Sequence, residues 1–347
     1  MAHYRAEDLD QFVADCDRVG GIADPRARPL LAEFRLDFKT RIDQSLDPFS
    51  EAYFRGQAAL YTELSGRALD QESGEMTPLD VDAHAAADNP YNSRDVQFLS
   101  KHNRTVLTCL TIANLPPGAS VLDAGSGWGL SSEAMARCGA SVTALDINPL
   151  FVELVRRRAA RLGLPIEAVR SGFDDYEADR DYDLLLFYEC LHHSVRPWRT
   201  LAHLGRFVKP GGKVVFAGEP VNAHWWKHWG IRLDPGSVYC IRKFGWWESG
   251  WTEAFITECF ARAGFALTLH HDVGLDNGIV GTASRSPEAR FDFTVVEALA
   301  RSSAQLADCR VELAEARNTI ACVRASRSWR LTAPVRSVFQ AIGTGRT

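Results

Sequence analysis

The stretch VLDAGSGWG, Val121 to Gly129, decides the reading of this chain. A hydrophobic run ends in Asp123, and Gly125, Gly127 and Gly129 then allow a tight bend without Cβ clashes before a helix begins near Leu130. Such a bend lets a ligand approach backbone N–H groups beside a helix N-terminus. Seventeen residues past Gly129, at the end of a second strand-like run (SVTALDINP), stands Asp146. An acid in that place can accept hydrogen bonds from both hydroxyls of a ribose. Strand, glycine bend, helix, strand and acid in this order form a far more specific signal than the glycines alone. The spacing is D-x-G-x-G-x-G rather than the dinucleotide G-x-G-x-x-G. A carboxylate before the glycines repels a pyrophosphate but suits a ligand carrying an ammonium group.

Working outward, short β-branched or apolar runs alternate with helical stretches from about residue 118. SVLDA, SVTALDI, DYDLLLFYE and GKVVFAG are separated by SSEAMARC, LFVELVRRRAARLG and WRTLAHLGRFV. Strands spaced by such helices imply βαβ units. The expected fold class is therefore α/β: an open, doubly wound, mostly parallel sheet with ligands at the carboxyl ends of its strands.

Residues 1–95 read as a helical accessory region without strands. Leu9, Phe12 and Val13, then Phe34, Leu36, Phe38 and Ile42, are taken as helical faces, followed by Tyr53 to Leu64. Asp70 to Asn92 reads as a long connection. Residues 96–220 form the nucleotide-binding core. In 221–286, six of nine tryptophans fall between Trp225 and Trp251, and FALTLHHDVG with NGIVGTAS resembles a closing antiparallel pair.

Leu299, Leu306, Leu313 and Ile320 recur every seven residues, so 287–325 reads as a coiled-coil-like helix suited to homo-oligomerisation. Residues 326–347 read as a basic amphipathic tail. The last 32 residues hold six Arg and no Asp or Glu, which leaves −11 on the rest of a chain whose net charge is −5. That tail suits a peripheral, anionic membrane surface or a partner's groove.

The 347 residues are 46% hydrophobic and 24% charged, an ordinary globular composition. The acidic balance excludes a nucleic-acid binder relying on bulk charge. Eight scattered cysteines, none closer than Cys309 to Cys322, give no zinc-ligand spacing and read as reduced thiols in a cytoplasmic protein. No metal site is expected from the spacing.

The glycine bend resembles motif I of the Rossmann-like (class I) S-adenosylmethionine-dependent methyltransferases. LDINP resembles their second motif, DYDLLLFYECLHHS the fourth-strand motif, and FVKPGGKVVFAGEP the turn before the fifth strand. The resemblance implies a seven-stranded methyltransferase sheet and S-adenosylmethionine as cofactor. It implies that Asp123 acts on the amino end indirectly, and that Gly125, Ser126, Gly127 and Gly129 run along the methionine and ribose. Asp146 would take the ribose diol, and Ile147, Gly172, Phe173 and Tyr188 would line the remainder. IRKFGWWESGW and SRSWRLTAPVR further resemble sequences of bacterial surface-polysaccharide (O-antigen and exopolysaccharide) biosynthesis, which implies a sugar or glycan acceptor and a glycan-assembly partner for the tail.

An alcohol acceptor needs a base. His192, His193 and Glu189 stand at the end of the fourth strand as catalytic candidates, with Glu219 competing. Glu219, His224, Trp225 and Trp247 are candidates for acceptor binding, because an aromatic face gives a sugar ring an apolar surface. Arg242, Lys243 and Glu248 are candidates for a charged acceptor group. The expected function is O-methylation of a sugar hydroxyl in a polysaccharide, glycolipid or precursor. A lipid or quinone-like small-molecule acceptor and a non-catalytic scaffold are the alternatives.

Overall fold

The computed structural model describes residues 2–271 and 278–286, together with positions 313, 316, 317 and 319. Apart from those four helical positions, the expected coiled-coil seam and basic tail lie outside the described residues. Met1–Phe291 form one compact unit, so the expected boundaries at 95 and 220 do not separate independent bodies.

The N-terminal region is not wholly helical. β1 (Ala2–Arg5) and α1 (Leu9–Arg18) are followed by α2 (Arg28–Glu33) and β2 (Phe34–Asp37), and β1 pairs with β2 in parallel. Phe34, Leu36 and Phe38 recur every second residue, which is the strand period and not the helical one. Phe34 is buried beside Tyr4 and Phe12. α3 (Glu51–Ser65) follows; Ser50 caps it by accepting from the Tyr53 N–H, and Gly66 ends it at a φ of 71°. The acidic connection then carries two short helices, α4 (Gln71–Gly74) and α5 (Val81–Ala86), before α6 (Val96–Ala113).

The core begins with β3 (Ser120–Ala124) and continues through α7 (Leu130–Arg137), β4 (Ser141–Asp146), α8 (Pro149–Leu162) and β5 (Ile166–Arg170). β6 (Tyr182–Tyr188), α9 (Pro197–Leu204) and β7 (Val208–Ala217) complete its parallel part. β8 (Trp229–Ile231), α10 (Pro235–Phe244) and β9 (Ser249–Trp251) come next, then α11 (Glu253–Arg262), β10 (Phe265–His270) and β11 (Val280–Arg285).

The seven-stranded sheet has the order β10-β11-β7-β6-β3-β4-β5. β5, β4, β3, β6 and β7 run parallel, and β11 is antiparallel to both β7 and β10. The chain winds outward from β3 to β5, then returns to the far side of β3 with β6. That reversal between β3 and β6 is the switch point at which such sheets hold ligands.

Alternation along the strands gives each face its own core. Leu122, Leu185, Phe187, Val214 and Phe216 pack with Leu201, Phe255 and Phe260, while Val121, Leu184, Leu186 and Val215 pack with Val106 and Met135. The K-P-G-G segment does not precede β7 but loops out within it: Val208 pairs with Tyr182, and pairing with β6 resumes at Lys213 opposite Leu184. Asn148 caps α8 by accepting from the Leu150 N–H, with Pro149 at its first turn, so LDINP is both strand end and helix start.

Much of the tryptophan-rich segment is structural. β8 and β9, with α10 between them in the chain, pair antiparallel with Trp229 opposite Trp251. The Tyr53 hydroxyl and Gln57 Nε2 of α3 donate to the Trp229 carbonyl, and Gln57 Oε1 accepts from the Ile231 N–H. Trp229, Trp247 and Trp251 are fully buried, so the N-terminal helix and the tryptophans share one core.

Candidate active site

The carboxyl ends of β3, β4 and β6, the α4 region and α10 enclose a cavity of about 660 Å³. Its floor is the glycine bend. Gly125 has a φ of +66°, and a Cβ there would meet Cys190 Cβ at 2.6 Å, Cys190 Sγ at 2.9 Å and Phe173 at 3.2 Å. Only hydrogen fits between the β3 and β6 ends, so this glycine is demanded twice, by backbone and by neighbours. Gly127 also has a positive φ, but nothing lies within 4 Å of its Cβ position. Its open side belongs to the cavity that it lines.

Asp146 fixes the bend from the next strand. Its Oδ2 accepts from the Gly127 N–H at 2.8 Å and its Oδ1 from the Asn148 N–H at 2.8 Å. Each oxygen keeps a lone pair for a further donor, which suits a ribose diol. Burial pushes the Asp146 carboxyl up to about 6, against the pull of those two N–H groups. Ile147, Gly172, Phe173 and Ser126 line the same end of the cavity.

Two expected cofactor residues act from behind. Asp123 is buried and accepts from the Ser131 and Ser132 hydroxyls of α7 at 2.7 and 2.5 Å. Burial, with Asp146 nearby, raises its carboxyl to about 6. Gly129 begins α7, and a Cβ there would meet Val155 Cγ2 at 2.7 Å. Neither lines the cavity. Their parts are to tie the bend to α7 and to let α8 pack close.

The opposite end is rich in ionisable groups. Tyr188 and Glu189 close β6, and His102 of α6 reaches them, its Nδ1 2.5 Å from the Tyr188 hydroxyl and 3.6 Å from Glu189 Oε2. Glu189 is a non-glycine residue at a φ of 53°, a costly conformation of the kind retained at functional sites. Its side chain lies over Gly218, where a Cβ would meet it at 2.3 Å. Burial, reinforced by Glu219, pushes the Glu189 carboxyl up to about 7, with Lys101 acting the other way.

The two histidines differ. His192 is buried, and Glu219 Oε2 accepts from both its backbone N–H and its Nδ1, at 3.0 and 2.7 Å. Glu219 Oε1 accepts from the Cys190 and Leu191 N–H groups. Burial opposes its charge, but His192 and these N–H groups win, holding it below its ordinary range. His193 Nδ1 lies 3.3 Å from Glu75 Oε2. Burial disfavours its cation, yet Glu75, Glu248 and Glu219 outweigh that and raise it to about 9. A histidine whose cation is favoured near neutral pH is less suited than Glu189 to take a proton there.

Among the acceptor candidates, Glu219 is enclosed and serves the backbone after β6. His224 is exposed, Trp225 half-buried and Trp247 part of the core against Tyr61, and none of the three lines the cavity. Trp246 lines it instead, edge-on to His193. The choice between two adjacent tryptophans is one of side-chain direction, which composition does not reveal. Arg242 and Lys243 pair with Asp10 and Asp17 of α1 rather than with a ligand. Glu248 does line the cavity.

Glu75, absent from the sequence candidates, lines it as well. Its Oε1 accepts from the Trp247 N–H at 3.0 Å, and Gln71 Nε2 donates to the His193 carbonyl at 2.8 Å. A lone acid in a stretch read as connection carries no motif that would have marked it.

With this geometry in place, comparison with known proteins agrees on the class. A family model described as a methyltransferase domain matches residues 121–212. The ubiquinone biosynthesis O-methyltransferase of Erwinia tasmaniensis is 30% identical over 199 residues, 55% of this chain and 73% of that protein. The protein of the same name from Proteus mirabilis is 34% identical over 126 residues, 36% of this chain and 50% of that one. The chain thus spans about three quarters of the first and half of the second.

Among solved structures, the 1,6-didemethyltoxoflavin-N1-methyltransferase of Burkholderia thailandensis, bound to S-adenosylhomocysteine, is 21% identical. The match covers 56% of this chain and 83% of that one, with a TM-score of 0.43. The chain belongs to the Rossmann-like (class I) S-adenosylmethionine-dependent methyltransferases. It is an enzyme that uses S-adenosylmethionine as methyl donor.

Proposed function

We propose that the enzyme methylates a hydroxyl oxygen of a hydroxyl-rich acceptor, with Glu189 taking the proton. The observation that carries this is Glu189 itself: a carboxyl held at the cavity wall in a left-handed conformation, beside His102 and pushed to about 7. A base whose pKa lies near the working pH combines an available basic form with enough basicity.

The donor supplies an electrophilic methyl on sulfonium sulfur. Gly125, Ser126 and Gly127 would hold its methionine and ribose, Asp146 its diol, and Ile147, Gly172 and Phe173 its adenine. The chain's own task is to bring the acceptor oxygen in line with that carbon and to accept its proton. The O–C bond forms as the C–S bond breaks, the electron pair stays on sulfur, and the hydroxyl proton moves to Glu189.

Glu75, Glu248, Asp174, Asp175, Arg232 and Ser237 make much of the wall polar. That lining supports a sugar hydroxyl, in a glycan, glycolipid or precursor, as the acceptor class. The second reading is a phenolic, quinone-like acceptor, favoured by the names of the curated relatives. Incubation with labelled S-adenosylmethionine and two acceptor panels, surface glycans with their precursors and polyhydroxylated benzenes, tests both. Label on glycan oxygen supports the first reading, and label on phenolic oxygen replaces it with the second. Transfer to carbon or nitrogen overturns both.

A further inference from the structure

We propose that His192, His193 and Glu248 form a binding site for one divalent transition-metal ion on the acceptor side of the cavity. One donor atom from each lies within 4.8 Å of the others. All three residues line the cavity. The side chains of His192 and Glu248 are only 8% and 7% exposed.

The tautomer of His192 is fixed by its neighbour. Glu219 already accepts from three backbone N–H groups and remains an acceptor toward Nδ1. Nδ1 therefore carries the proton, and in the neutral ring Nε2 presents its lone pair. That lone pair faces Glu248 Oε2 at 3.6 Å, beyond hydrogen-bond range. An ion seated between that nitrogen and that oxygen would join a lone pair to a carboxylate in a buried site. A carboxylate behind the distal nitrogen is also how metal-binding histidines are oriented and made more basic.

His193 is the third donor, and its Nδ1 is buried 3.3 Å from Glu75 Oε2. Because its cation is favoured near neutral pH, an ion binds there by releasing a proton. Around the two imidazoles stand three carboxylates, Glu75, Glu219 and Glu248. Against them stand the His193 cation and Arg232, whose Nη1 lies 3.3 Å from Glu248 Oε2 while its Nε is 3.0 Å from Asp234. Two imidazole nitrogens and one carboxylate oxygen select zinc, cobalt, iron or manganese over magnesium and calcium. Three protein donors leave coordination positions open, the pattern of a catalytic rather than a structural site.

In the O-methyl transfer reading, on which this use of the site rests, the ion lowers the pKa of the acceptor hydroxyl and Glu189 receives the proton.

The full chain, stripped with chelator and titrated with cobalt(II) chloride, tests the site. The expected result is one cobalt per chain with visible d–d bands. A paramagnetically shifted, slowly exchanging imidazole proton should appear in the NMR spectrum, that of His192 Nδ1. Glu248→Gln should raise the cobalt Kd at least tenfold, and Glu219→Gln about 10- to 100-fold, while calorimetry shows S-adenosylhomocysteine still binding. If Glu248→Gln fails to bind S-adenosylhomocysteine, His193→Asn takes its place. Absence of the bands and the shifted proton in the native chain, or cobalt affinity unchanged in the variants, overturns the proposal. Methyl transfer to oxygen in a chain that binds no cobalt refutes the metal site alone. Cobalt binding without transfer to any hydroxyl refutes the O-methylation reading alone.

Discussion

The Gly127 N–H donates to Asp146 Oδ2 across 2.8 Å, joining the first bend of the core to the end of its second strand. The acid that is to grip a ribose thus also sets the shape of the loop beneath it. Asp146→Ala should remove both effects, raising the S-adenosylhomocysteine Kd by about 100-fold or more, since two charge-assisted hydrogen bonds are lost at about 1.5–3 kcal/mol each. Asp146→Asn keeps an acceptor and should lose less. Isothermal calorimetry decides, and an unchanged Kd in Asp146→Ala would refute the assignment.

The same carboxyl sets a pH dependence. Burial raises Asp146 to about 6, so it is ionised above that value and protonated below it. Cofactor affinity should be at its full value near pH 7.5 and weaken as pH falls through about 6. Folding stability moves the opposite way. A carboxyl raised on folding binds its proton more tightly in the native state, so this group's contribution declines between its unfolded value near 4 and about 6 as pH rises. Calorimetric Kd values and melting curves over pH 5–8 separate the two trends.

Glu189→Gln should lower kcat by about 10²- to 10⁴-fold and leave cofactor affinity unchanged. In the native enzyme, kcat/KM should rise with pH through a limb near 7, where the Glu189 carboxyl ionises. The charged and titratable groups near it are Glu219, Lys101, His102 and Tyr91. The limb should vanish in Glu189→Gln. Its persistence there would move the base to another residue.

Tryptophan substitutions should divide by place rather than by type. Trp247 is fully buried against Tyr61 and Phe54, so Trp247→Ala should cost about 3–5 kcal/mol of stability. Trp225→Ala, at a half-buried site away from the cavity, should change both melting temperature and acceptor KM little. Trp246→Phe should raise acceptor KM without a large fall in melting temperature.

Arg158 and Glu133 form a buried ion pair between α8 and α7, and Arg158 also donates to the His84 and Ala87 carbonyls at 2.9 and 2.8 Å. Arg158→Met leaves the buried Glu133 carboxylate with the longer contact to Arg137, at 3.7 Å, and should destabilise by about 3 kcal/mol. Adding Glu133→Gln should restore part of that loss. Denaturant unfolding of the single and double variants measures the coupling.

The core was legible because its signals are local. VLDAGSGWG and LDINP each place a strand end, a bend or cap, and a helix start within ten residues, and the structure keeps every one of them. The closing pair FALTLH and VGTASR was legible for the same reason. On the acceptor side, Glu189 and His192 were legible because they share the fourth-strand motif. Glu75, from the α4 region, and Glu248, just before β9, join them only after folding, and no spacing ties either to that motif. Glu219 was noticed as a charged strand end, but its task, accepting from the backbone of Cys190, Leu191 and His192, appears only in three dimensions. β1 and β2 were missed through a wrong choice of period, with Phe34, Leu36 and Phe38 alternating two by two.

Glu75 reaches the cavity from a stretch that precedes β3, the first strand of the seven-stranded sheet, and its carboxylate touches both Trp247 and His193. A protein cut back to begin at β3 would keep every glycine of the bend and still have one side of its reaction chamber missing. The N-terminal third is therefore part of the enzyme's catalytic body, and trimming it for convenience would yield a cofactor cup open to bulk water.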